Sequence, residues 1–176
     1  PNEKSAIIVS NIALFLSKRF QKKTLIIDAN LRQPWVHRLF RLPKDPGLCD
    51  LLEGKQTPET VIKSVGDGVD VITCGSTALD PGVLFESETF KKMMHGLRAR
   101  YDVVLVDCAH IRDHKEAAII SESFDGVVLV VGESGVRRQV VRTSIQPLLE
   151  KKAHIIGAVL NNRHFAIPKF LYESIY

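Results

Sequence analysis

Thr24-Leu25-Ile26-Ile27-Asp28-Ala29-Asn30-Leu31-Arg32-Gln33-Pro34 is the stretch that decides the fold of this chain. It opens as an apolar run of strand length and then releases an acid, an amide and an arginine at alternate positions. A run that is apolar throughout, rather than alternating, marks a strand buried on both faces, as in a parallel sheet. Ligands of such sheets lie beyond the carboxyl ends of the strands. Asp28 stands at that end. A carboxylate there holds a metal, a hydroxyl or a cation, or simply caps the element that follows.

On the amino-terminal side, Ile7, Ile8, Ile12, Phe15 and Leu16 recur at helical spacing and predict a helix over residues 6–19. On the carboxyl side, Pro34 opens a short helix carrying Trp35, Val36, Leu39 and Phe40. Residues 48–53 predict a short helix closed by Gly54, and Thr57-Pro58-Glu59 starts another that reaches Ser64. Residues 69–74 read as a strand and 75–82 as a loop. Residues 87–100 read as an amphipathic helix with Phe90, Met93, Met94 and Leu97 inward. The alternation then repeats as strand 103–107, again ending in an acid, helix 113–123, strand 126–131, helix 136–151 and strand 154–160. Five apolar strands alternating with helices predict an α/β fold. Its mostly parallel sheet carries helices on both faces and is joined by right-handed crossovers.

A length of 176 residues fits one domain, here spanning 1–176. A net charge of +4, spread over short pairs such as Lys151-Lys152, is too mild for a nucleic-acid binder. Cys49, Cys74 and Cys108 lie far apart in sequence, in neither a zinc pattern nor a disulfide framework, which implies a reducing compartment. No apolar run approaches transmembrane length and no signal peptide is evident.

Three places carry chemistry. Lys4-Ser5 opens a helix, Asp28 ends one strand and Asp107 ends another. Helix-start amides, a lysine and a hydroxyl are suited to phosphate and magnesium, and acids on neighbouring strands complete such a site. A strand is expected ahead of the Lys4-Ser5 turn, so the domain is read as lacking its first strand. His110 and His114 flank Asp113 and could hold a metal with Asp107, or lie in a plain loop. Arg32 suits a phosphate, a neighbouring chain or an ion pair near Asp28. Trp35 and Phe40 beside Arg32 and Arg38 suit an interface or simple packing. The apolar, aromatic run 166–172 suits packing on the body or on a partner.

With those residues in view, the chain resembles the cytoplasmic kinase domain of bacterial tyrosine kinases that regulate capsule and exopolysaccharide assembly. That family belongs to the wider P-loop superfamily of MinD and ParA. The family's Pro-Gly-Glu-Gly-Lys-Ser-Thr segment is similar to Pro1-Asn2-Glu3-Lys4-Ser5-Ala6. Its apolar strand followed by Asp-x-Asp-x-Arg-x-Pro is similar to residues 25–34, with Asn30 in place of the second acid. His37-Arg38-Leu39-Phe40, Pro46-Gly47-Leu48 and Asp50-Leu51-Leu52 resemble the segment that follows, and Tyr101 to Asp107 resembles its second acidic strand.

The resemblance implies magnesium-ATP over Lys4 and Ser5, with Ser5, Asp28 and Asp107 as magnesium ligands. Asp28 would be the base and Asp107 would orient the metal or its water. Arg32 would lie at the nucleotide, Asn161 at adenine, and Tyr172 and Tyr176 would be phospho-acceptors. It also implies a place at the inner face of the cell membrane, beside a membrane chain-length or polysaccharide export protein, with possible homo-oligomers and no nucleic-acid partner. The departures gather at the chemistry. Glu3 occupies the run where a glycine is expected before Lys4, Ala6 replaces a hydroxyl, Asn30 removes a carboxylate and His110 replaces a proline. A phosphate nest needs backbone freedom that glycine has. A carboxylate about 4 Å from a phosphate charge repels it by roughly 4 kcal/mol at an effective dielectric of ~20. The expectation is therefore a kinase-like domain with weak or lost activity, acting as a binding module. An active autokinase and a MinD/ParA-type positioning ATPase are the alternatives.

Overall fold

A computed structural model describes residues 3–132 and 138–161. It is an α/β fold with a parallel-dominated sheet. The first helix, α1 (Glu3–Phe20), starts before the predicted boundary, so Lys4 and Ser5 lie in its first turn. Its inward stripe is small: Ala6, Ser10, Ala13 and Ser17 are buried, while Phe15 and Phe20 are exposed and meet edge to face at 5.6 Å. Small inward residues let the helix lie close against Ile26, Val69 and Val71 of the sheet.

β1 (Thr24–Ala29) is buried at every position. Leu25 and Ile27 enter one core with Leu48, Phe85, Phe90, Met94 and Leu97, and Ile26 enters the other with Ala6, Ala13 and Val36. Each such fully buried valine, leucine, isoleucine, phenylalanine or methionine contributes roughly 1.5–3 kcal/mol. α2 (Val36–Leu39) begins two residues after Pro34, which the sequence places inside the helix; the Val36 N–H is held instead by the Asp28 carboxylate. α3 (Leu48–Leu52) ends before Gly54, whose φ of +72° makes the left-handed stop.

α4 (Pro58–Val61) is shorter than the helix predicted to Ser64, because Ile62 leaves helical space and opens β2 (Ile62–Gly66). β2 pairs antiparallel with β3 (Val69–Ile72) through Asp67 and Gly68, at φ values of 50° and 72°. Two successive positive φ angles match the twist of a two-residue hairpin. α5 (Pro81–Glu86) interrupts the end of the predicted loop, capped by Asp80, whose Oδ1 accepts the Gly82 N–H at 2.9 Å. α6 (Glu88–Arg98) follows, with Phe90, Met93, Met94 and Leu97 buried as the periodicity requires. β4 (Val103–Cys108) pairs parallel with β1, giving the order β2-β3-β1-β4.

α7 (Glu116–Ser121) leads to β5 (Val127–Gly132). The single helix predicted over 136–151 is, within the described residues, two helices, α8 (Arg138–Ser144) and α9 (Gln146–Glu150). Pro147 explains the break, since it lacks an N–H and its ring crowds the carbonyl four residues back. β6 (Ile155–Asn161) pairs parallel with β5 in a separate two-stranded sheet. The fold thus has six strands in two sheets among the described residues, one more than predicted. Among the described residues, β4 and β5 are both edge strands.

Candidate functional site

The site lies where β1 and β4 end together. Their parallel register sets Asp28 directly opposite Asp107, and the exposures are 0% and 1%. Asp28 Oδ1 accepts the Asn30 N–H at 3.3 Å, and Oδ2 accepts the Val36 N–H at 3.1 Å. Burial, then repulsion from Asp107, push the Asp28 carboxyl up to about 7 against the pull of these backbone donors. Burial likewise pushes Asp107 up to about 6, while the Ser5 hydroxyl from the first turn of α1 pulls it down. Three predicted residues, Ser5, Asp28 and Asp107, are therefore brought together, and Lys4 lies in the same helical turn as Ser5. Two carboxylates and a hydroxyl at a helix start fit a magnesium ion that is also held by phosphate oxygens.

Asn30 is fully buried, and its Oδ1 accepts the Gln33 N–H at 3.1 Å, folding the exit of β1 back toward α2. Arg32 does not pair with Asp28. Its Nε donates to Glu116 Oε1 at 3.1 Å and its Nη2 to Asp80 Oδ2 at 3.5 Å. Glu116 is 5% exposed, so this pair is anchored on one side in the protein. Neither acid was singled out in the sequence, although Asp80-Pro81 is a legible helix start. Asn161 ends β6, in register with Gly132, in the second sheet.

Tyr172 and Tyr176, and the run 166–172, lie outside the described residues. Tyr101 is buried, with its hydroxyl donating to Asp70 Oδ2 at 2.7 Å. His110 and His114 flank a backbone turn in which the His114 N–H reaches the His110 carbonyl at 3.0 Å, and Asp113 pairs with Arg112. Among the described residues no three histidine, cysteine or acidic side chains gather around one point. Trp35 and Phe40 pack against the α1 side of the core, with the Arg38 guanidinium 4.5 Å from the Trp35 ring. Two cavities, of about 330 and 200 Å³, lie between α8 and the 110–113 loop rather than at Asp28. No helix among the described residues is long and apolar enough to cross a membrane.

No family model matches the chain. The α/β fold is nonetheless one that known proteins share. MinD from Pyrococcus horikoshii, solved with Mg-ADP, superposes with a TM-score of 0.70 at 18% identity over 97% of this chain and 71% of that one, a likeness of fold alone. The VpsO kinase domain superposes at 0.81 with 30% identity, over 88% and 76% of the two chains. The putative tyrosine-protein kinase CapB of Staphylococcus aureus is 31% identical over 165 residues, 91% of this chain and 72% of that protein. The chain belongs to the family of bacterial tyrosine-protein kinases. It spans only part of some members: the tyrosine-protein kinase etk of Escherichia coli K12 is 31% identical over 92% of this chain but 22% of that protein.

Proposed function

We propose that this is a kinase-like domain of an exopolysaccharide or capsule apparatus, working at the inner face of the cell membrane. It binds magnesium-ATP weakly and serves as a binding module for a membrane chain-length or export protein. The observation that carries this reading is the state of the β1 exit. Asp28 is fully buried with both oxygens accepting backbone N–H groups, and Asn30 stands where a second carboxylate belongs. The β1 exit is thereby committed to holding its own turn. Arg32 is already matched by Glu116 and Asp80.

An active autokinase is the second reading, favoured by one observation: an Asp28 carboxyl near 7 suits a base at neutral pH. Phosphotyrosine formation separates the two. With magnesium-ATP, this chain and its Lys4→Met variant are expected to give the same blank signal on Tyr172 and Tyr176. A phosphotyrosine signal that Lys4→Met abolishes overturns the weak-site reading and installs the kinase.

A further inference from the structure

Cys49 and Cys74 come side by side where α3 crosses the exit of β3. The Leu48 N–H donates to the Thr73 carbonyl at 2.7 Å, and the Cys49 N–H to the Cys74 carbonyl at 2.9 Å. Two glycines make this crossing possible, since a Cβ on Gly47 would fall 2.3 Å from the Gly75 nitrogen. Both side chains are buried, at 0% and 1% exposure. A single N–H to carbonyl bond of this length holds the two Cα atoms within roughly 5–7 Å of each other, which overlaps the ~4.4–6.8 Å that a disulfide spans.

We propose that Cys49 and Cys74 form a reversible disulfide when the protein meets a peroxide oxidant. The Cys49 sulfur attacks one peroxide oxygen, the O–O bond breaks, and the departing oxygen leaves as water. This puts a sulfenic acid on Cys49. The Cys74 sulfur then attacks the Cys49 sulfur, the S–O bond breaks, and a second water leaves with the remaining proton. Two thiols and one peroxide become one disulfide and two waters. The neighbouring thiol holds Cys49 below the usual thiol range and Cys74 above it, which favours the Cys49 thiolate as the first nucleophile. Burial excludes bulky thiol reagents, so reaction waits on local opening around the short α3 and is slow; burial then shields the finished bond. The link would fasten α3 to the strand beside β1, next to Asp28, whose charge Cys74 feels. It does not depend on whether the domain binds nucleotide.

The test is peroxide treatment of the folded chain, alkylation of remaining thiols after denaturation, and mass spectrometry of an unreduced digest. The expected product is a peptide pair joined through Cys49 and Cys74, two hydrogens lighter, with Cys108 alkylated, and dithiothreitol restores both thiols. A Cys108→Ala variant is expected to give the same product. Joining to Cys108, or alkylation of both Cys49 and Cys74 after prolonged exposure, overturns the proposal. So does a melting temperature that falls on oxidation, where a rise of several degrees is expected for a bond the native geometry accepts. The wild-type map decides the matter even if a Cys74→Ala variant fails to fold.

Discussion

β1 and β5 are both six-residue, mostly apolar strands with opposite fates. Thr24–Ala29 is buried at every position, while in Val127–Gly132 Val128 and Val130 are 47% and 37% exposed. β6, its neighbour, leaves Ile156 and Leu160 more than half exposed. β1, which carries the polar Thr24 and Asp28, is the more buried of the two, so their neighbours rather than their hydrophobicity separate them. β1 lies between two strands and under helices on both faces, whereas among the described residues β5 and β6 have only each other in their sheet. An unbroken apolar run therefore states what a strand requires around it, and β5 still displays that requirement.

The largest expected break in the comparison is by truncation. Leu25→Ala in β1 is expected to cost about 2–5 kcal/mol, as for other fully buried leucines. Val130→Ala in β5 is expected to cost under about 1 kcal/mol, measured for both by urea unfolding. Equal losses would mean that the second sheet is packed as tightly as the first.

The next effect is of pH. Asp28 and Asp107 carry folded pKa values of about 7 and about 6 against an ordinary 3.8. Between pH ~4 and ~7 the folded chain therefore binds more protons than the unfolded one, and stability falls as pH rises through that window. Above it the loss is complete, on the order of a few kcal/mol for the pair. Asp107→Asn is expected to raise stability at pH 8 by about 1–3 kcal/mol and to flatten the slope, read from denaturation midpoints across pH. A loss of stability would show that the paired charges are not in conflict.

A smaller effect sits at the hairpin. Gly68 has φ +72°, and a Cβ there would lie 2.7 Å from Ser17 Oγ, so Gly68→Ala is expected to cost about 1–2 kcal/mol. A neutral result would remove the argument that this turn sets the β2–β3 register. Smallest is the exposed pair Lys91–Glu88 on α6, where Lys91→Ala is expected to leave the urea midpoint where it is.

Much of this was legible from residues alone. The run from Leu25 and the acid at its end placed β1 and Asp28, and the same pattern from Val103 placed β4 and Asp107. What was not legible depended on competition between local rules. Ile62 to Gly66 continues a helix by residue type, and only the Asp67-Gly68 turn reverses the reading. Pro147 splits a helix whose periodicity runs through it. For Arg32 a phosphate, a neighbouring chain and an ion pair near Asp28 all stay open in the sequence, because no local pattern announces Glu116, which lies far along the chain and becomes its partner only by folding.

Calorimetric titration with magnesium-ATP tests the central claim most directly, because it asks whether the buried, self-satisfied exit of β1 still accepts a nucleotide. The account predicts no saturable heat at micromolar nucleotide. A dissociation constant in the low micromolar range would contradict it.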